Sequence, residues 1–289
     1  MRIVVFTAKA HVEKSSFWAT VLSTPGVSAV LLCQQRRRLT PASILRRQTR
    51  NIKKHGLFWI PYRVAIALVN VVRWVSRPAA PDVPVPVGIS LDIIEVENLH
   101  ASSTIKRVEA WAPDLGVSLG APILKPEFFS IPRYGTINLH LGKVPEFRGA
   151  PPGFWELYTD APEIGATVHW VDEGLDTGPV LAQARAPIHV SDTLGHVQAR
   201  AEKLGVMVLE RALRQVADGV LIAVAQAEGG KTYRTPLVME RLRFQTRMFG
   251  RYLRRMRPRT RAEEGETAFR SYAFDTDADV MSASPSMAD

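Results

Sequence analysis

The run Arg2-Ile-Val-Val-Phe-Thr7 is almost continuously apolar, and it recurs after Pro25-Gly26 as Val27 to Leu32. Short apolar runs rich in β-branched residues read as strands buried on both faces, which is the situation inside a parallel sheet. The stretch between them suits a helix, so the opening reads as strand, helix, strand, a βαβ unit, and the fold class is α/β. The turn after the first run holds Thr7, Ala8, Lys9 and Ala10 rather than a glycine-rich fingerprint, which disfavours a nicotinamide dinucleotide site.

Further strands are expected at Ser90 to Val96, Leu115 to Leu119 and Gly135 to His140. A pair at Gly165 to Val171 and Pro179 to Ala186 flanks a turn rich in Asp and Gly, and a short strand is expected at Leu221 to Ala225. Helices are expected at Ser102 to Ala112 and at Thr193 to Ala217, where Leu194, Val197, Ala201, Leu204, Val208 and Leu213 form one apolar face. The chain of 289 residues is 46% hydrophobic and 22% charged, the balance of a globular protein and not of a disordered or fibrous one. A lone Cys33 cannot form an intrachain disulfide and Met1 opens no leader-like segment, so a reducing, cytoplasmic setting is expected.

Charge is unevenly distributed. Residues 36–78 hold eleven Lys or Arg and no acid, and 241–262 hold nine Arg and no acid. Without those twenty, 17 basic residues face 28 acidic ones, so an acidic body near −11 carries two basic segments. Thr40-Pro41 is a helix-start signal for a basic helix to about Lys54, and Gly56 to Val75 is apolar but broken by Pro61, Arg63, Asn70 and Arg73. That favours a helix lying on a membrane surface or capping the core over a span, with the prolines from Pro78 to Pro86 forming an extended connector. Near the other end, Val238, Leu242, Phe249, Leu253 and Met256 share one helical sector, with Arg243, Arg247, Arg251, Arg254 and Arg255 opposite. Such a helix either docks its apolar face on the core with arginines in solvent, or meets an anionic partner. The polar, acidic residues from about 261 to 289 are expected to be disordered.

The chemistry concentrates at Asn138-Leu-His140. Alternate strand residues share a face, so an amide donor and an acid/base imidazole point the same way, at the carboxyl end of a strand where open α/β sheets bind ligands. Downstream stand Pro145-Glu-Phe-Arg-Gly-Ala-Pro151, then Gly165-Ala-Thr-Val-His-Trp-Val-Asp-Glu-Gly-Leu-Asp-Thr-Gly-Pro-Val180, with Asp176 placed 36 residues after His140. On these residues the chain resembles the 10-formyltetrahydrofolate-dependent formyltransferases, the family of the methionyl-tRNA, glycinamide ribonucleotide and amino-sugar enzymes. The resemblance runs from about Met1 to Pro236, omits 36–78, and is strongest from Pro113 to Pro187.

That resemblance implies a Rossmann-like formyltransferase fold, a mostly parallel sheet flanked by helices. It would form a catalytic domain over 1–235, with the basic insertion and then a basic amphipathic helix at 236–260. It also implies a triad of Asn138, His140 and Asp176, and a pocket for the folate formyl donor formed by Ala121, Pro122, Ile123, Leu124, Asp172, Gly174 and Leu175, with no metal. The expected acceptor is a small-molecule amine, an amino sugar or related intermediate. Methionyl-tRNA is the alternative, weakened because the residues after Pro236 are too few for the separate barrel of those enzymes, and a tethered, non-catalytic binding module is the non-enzyme alternative. Leu141-Gly-Lys-Val-Pro145 departs from the family's usual Pro-Ser-Leu-Leu-Pro, so the acceptor side is the least defined. The segments 36–78 and 241–257 are the candidate contacts with an anionic membrane at its cytoplasmic face.

Overall fold

A computed structural model of the chain describes residues 1–8, 17–24, 28–34, 40–56, 59–64, 66–67 and 92–256. The two opening strands are β1 (Arg2–Ala8) and β2 (Ser28–Gln34), joined through helix α1 (Phe17–Leu22) and paired in parallel. They are followed by β3 (Asp92–Val96), β4 (Leu115–Leu119) and β5 (Thr136–His140), all parallel to their neighbours. β7 (Glu163–Trp170) runs antiparallel to β5, and β8 (Val180–Pro187) antiparallel to β7, so the sheet order is β3-β2-β1-β4-β5-β7-β8. A separate two-residue pair joins β6 (Arg148–Gly149) to β9 (Thr232–Tyr233). The strand expected at Leu221 to Ala225 is reduced to one bridge, between Val224 and Val180, the first residue of β8.

Alternation along the central strands divides the core. Ile3, Val5, Val117, Ile137 and Leu139 pack against α6 (Leu194–Ala217), whose buried stripe of Val197, Ala201, Val208, Leu209, Leu213 and Val216 covers one face. Thr193 starts α6 with a reciprocal cap: its hydroxyl accepts from the His196 N–H while its own N–H donates to His196 Nδ1. On the opposite face Val4 and Phe6 meet Leu99, Val108 and Phe128, the last two from α3 (Ser102–Trp111) and α4 (Pro126–Phe129).

The basic helix expected after Thr40 is α2 (Pro41–His55), capped by the Thr40 hydroxyl. Residues 59–64 are helical as well, whereas most of Gly56 to Val75, the proline connector and the tail from 257 lie outside the described residues. The C-terminal basic helix is α7 (Val238–Met256), started by Glu240, which accepts from the Leu237 N–H and pairs with Arg234. The helix does not dock through its apolar sector with the arginines in solvent, the first of the two alternatives. Phe244 is buried against Phe154 of α5 (Phe154–Tyr158), with ring centroids 4.5 Å apart, while Leu242, Phe249 and Leu253 face outward. Arg247 and Arg251 turn inward to Asp160. One aromatic stack and a shared carboxylate fix the rotation of α7, in place of its most apolar sector.

Candidate active site

On β5, Ile137 and Leu139 face the α6 core, so Asn138 and His140 must face the other way. Antiparallel pairing with β7 sets His169 opposite Asn138 and Thr167 opposite His140 on that same face. The chain leaving β5 folds back over them, and the loop after β7 brings in Asp176.

The Asp176 carboxylate is the hub. One oxygen lies 3.2 Å from Asn138 Nδ2 and 3.5 Å from His169 Nε2; the other accepts from the Gly149 N–H at 2.8 Å and lies 3.3 Å from His140 Nδ1. Asn138 Nδ2 also lies 3.2 Å from His169 Nε2, and His169 Nδ1 lies 2.8 Å from the Trp170 carbonyl. Asp176 itself occupies the left-handed region, φ 55°, a conformation Asp tolerates better than most residues. Gln226 holds it there, its amide nitrogen donating to the carbonyls of Asp176 and Gly178 while its oxygen accepts twice from Arg148. Gly149 is required for the approach, since it has φ +88° and a Cβ would stand 2.0 Å from the Tyr233 carbonyl.

The electrostatics separate the two titrating groups. Burial alone would raise Asp176, but the bonds from His169, the nearby His140 and the Gly149 N–H more than offset it and hold the carboxyl below its ordinary value. Burial pulls His140 below the usual imidazole range against the opposing influence of Asp176 and the Phe147 carbonyl. Its Nε2 lies 2.7 Å from that carbonyl, so both ring nitrogens face acceptors and the neutral ring can satisfy only one. A proton taken up by His140 would complete the second bond.

A ligand site at the end of such a strand is ordinarily reached by solvent. Instead His140 is 8% and Asp176 11% exposed, and the cleft beside them, lined by His140, Phe147, Trp155, Glu156 and Tyr233, has about 10 Å³ of free space. Lys143 anchors the covering loop to Glu163, and the Thr167 hydroxyl donates to the Gly142 carbonyl. A larger cavity of about 720 Å³ lies elsewhere, between α7 and residues 160–162 and 188–190, and none of the triad lines it.

The structure thus brings Asn138, His140 and Asp176 together. The expected pocket residues are more dispersed in role. Ala121 and Pro122 are half-buried and Ile123 is 79% exposed, but Leu124 is buried with Phe6 and Phe128 as a core residue. The Asp172 carboxylate accepts from the Thr177 hydroxyl and the Gly174 N–H, holding its own turn, while Leu175 projects outward. Three residues to which sequence reasoning gave no role join the site: His169, Gln226 and Glu156. The alternation Thr167-Val-His169 was the available signal for the first; nothing local marks Gln226, fifty positions from Asp176.

An α/β domain that gathers an amide donor, an imidazole and a carboxylate at the end of a central parallel strand has the groups that acid/base-assisted group transfer requires. More particularly, residues 65–213 match the model of the formyl transferase family, about half of the chain, and the protein belongs to that family. It is 34% identical over 147 residues to a methionyl-tRNA formyltransferase of Aromatoleum aromaticum, covering 50% of this chain and 46% of that one. The chain spans about half the length of the curated relatives it matches. In fold it resembles a sugar N-formyltransferase from a Shewanella species, with TM-score 0.55 and 15% identity over 86% of this chain and 87% of the other. It also resembles glycinamide ribonucleotide transformylase 1 from Symbiobacterium toebii, with TM-score 0.52 and 17% identity, covering 78% and 94%.

Proposed function

We propose that this protein transfers a formyl group from 10-formyltetrahydrofolate to the primary amine of a small molecule, an amino sugar or related biosynthetic intermediate. The observation that carries the reading is the convergence of Asn138, His140 and His169 on the single carboxylate of Asp176. In the reaction the amine nitrogen bonds to the formyl carbon, the carbonyl oxygen becomes an oxyanion, and the carbon–nitrogen bond to folate breaks. Asn138 would donate to that oxyanion once its contact with His169 opens, and a donor so placed contributes several kcal/mol, about 3 to 4 in comparable sites. His140 would take the proton from the attacking amine and return it to the departing folate nitrogen. Asp176 orients His140 and stabilises its charged form. For the amine to reach Nε2, the contact with the Phe147 carbonyl must open.

Ala121 to Leu124 and Asp172 to Leu175 would hold the folate, chiefly through backbone groups and the exposed Ile123 and Leu175, because Leu124 and Asp172 have partners of their own. The curated relatives support a second acceptor, methionyl-tRNA, on the same chemistry. Incubating the protein with 10-formyltetrahydrofolate and separate panels of amino sugars, nucleotide-linked amino sugars and charged tRNA, with mass detection of the formyl adduct, distinguishes them. A formylated sugar supports the first reading, formylated methionyl-tRNA the second, and donor consumption by neither overturns both.

A further inference from the structure

Two helices carry apolar residues that nothing in the described structure covers. Docked through Phe244 and Met248, α7 leaves Leu242, Phe249, Tyr252 and Leu253 facing outward, with Phe249 61% exposed. α2 has no buried residue at all. Its Ile44 and Leu45 are exposed, Leu45 to 69%, and they share a sector with Ile52 while Arg46, Arg50, Lys53 and Lys54 occupy the opposite one. Residues 59–64 add exposed Ile60 and Val64.

The charge on these elements has one sign. α2 contains no acid, and the single acid of α7, Glu240, is held by Arg234 and the Leu237 N–H. Arg247 and Arg251 are committed to Asp160 and Arg241 to the Pro236 carbonyl, so among the described side chains of these helices Arg243, at the border of the outward stripe, and the five basic residues of α2 are offered to a partner. Burial, and then the charges of Lys54, Arg241 and Arg234, draw His55 at the end of α2 below its usual pKa. Among the described residues no helix is long and apolar enough to cross a membrane.

We propose that α2 and α7 form a peripheral contact with an anionic lipid bilayer, their aliphatic and aromatic side chains entering the headgroup boundary and their basic side chains meeting the phosphates. Exposed Leu and Ile beside Lys and Arg suit this partner. Single-stranded nucleic acid would be served by aromatic stacking platforms; α7 offers one pair, Phe249 and Tyr252, but most of the free charge lies on α2, whose exposed apolar residues are the aliphatic Ile44 and Leu45. A second copy of the chain meeting the same face about a two-fold axis would set basic helix against basic helix. Burying apolar side chains to the depth of the headgroups while basic residues bind the surface charge is how interfacial helices hold a membrane.

The test is co-sedimentation of the full chain with phosphatidylcholine vesicles and with vesicles containing phosphatidylglycerol, at low and high salt. Binding is expected to the anionic vesicles only, weakening with salt. The triple variant Arg50→Gln, Lys53→Gln, Lys54→Gln should lower the partition coefficient about a hundredfold, at about fivefold per basic residue. The pair Phe249→Gln, Leu253→Gln should lower it at least about tenfold, its exposed sites leaving circular dichroism unchanged. Equal binding to neutral vesicles, insensitivity to both variants, or retention by RNA or as a dimer without vesicle binding would each overturn the proposal.

Discussion

Replacing Glu156 by Gln is expected to stabilise the protein in alkaline solution and leave it nearly unchanged in acid. Glu156 is 2% exposed on α5, one of the residues lining the cleft beside His140, and its carboxyl is partnered by backbone N–H groups of Gly153 and Glu156. Burial raises its pKa from 4.5 to about 7, only partly opposed by those bonds. The sign follows from proton linkage. The unfolded chain releases this proton near pH 4.5 while the folded one keeps it to about pH 7, so rising pH drains stability across that window. At about 1.4 kcal/mol per pH unit the full loss is about 3 kcal/mol, reached by pH 8. Glutamine keeps the hydrogen-bonding oxygen without the ionisation. Urea unfolding at pH 5 and pH 8 should therefore show the variant within about 1 kcal/mol of wild type at the first and about 3 kcal/mol more stable at the second. Groups common to both proteins cancel in that comparison. An equal difference at both values would refute the reasoning, since a steric or hydrogen-bonding effect would not follow pH.

Gly149→Ala should cost about 2 kcal/mol or more and also lower activity, because the Cβ meets the Tyr233 carbonyl and displaces the N–H that Asp176 accepts; thermal unfolding and formyl transfer measured together check it. With His140 held below the ordinary imidazole value, the acidic limb of kcat/KM should fall below pH 6.5, and a limb above that value would contradict the assignment of His140 as the base. Asp176, held low, stabilises the fold above about pH 4 and less as pH drops through its folded value, so Asp176→Asn should flatten the acid limb of stability measured by urea unfolding. Phe244→Ala should destabilise by about 3 to 5 kcal/mol and release α7, visible as earlier loss of helical signal on heating.

Much of the sheet was legible because its strands are unambiguous apolar runs. β1, β2, β4 and β5 lie within a residue or two of their expected bounds, and α6 carries the 3.6-residue stripe that a helix packed on a sheet must have. Strand order and the antiparallel turn at β7 could not be read, since pairing partners leave no local mark. Asn138 and His140 were legible through alternation on β5, and Asp176 through the resemblance to a family. His169 became visible only with the register that sets it against Asn138. Of the two alternatives open for α7, docking through its most apolar sector does not occur, because that sector is decisive only when nothing more specific competes, and here Phe244 on Phe154 and two arginines on Asp160 do. The closed cleft was likewise invisible, because Lys143, Thr167 and Tyr233 pin the loop over His140 through contacts distant in sequence.

The central claim is that His140, steered by Asp176, performs the proton transfers of formyl transfer. Its most direct test is single-turnover formylation of whichever acceptor the panel assay returns, by wild-type protein and by His140→Ala, with tetrahydrofolate release followed at saturating donor. The account predicts release and adduct in equal amounts from wild type, and a rate at least about a hundredfold lower from His140→Ala with donor binding retained. Release at the wild-type rate from the variant would contradict it.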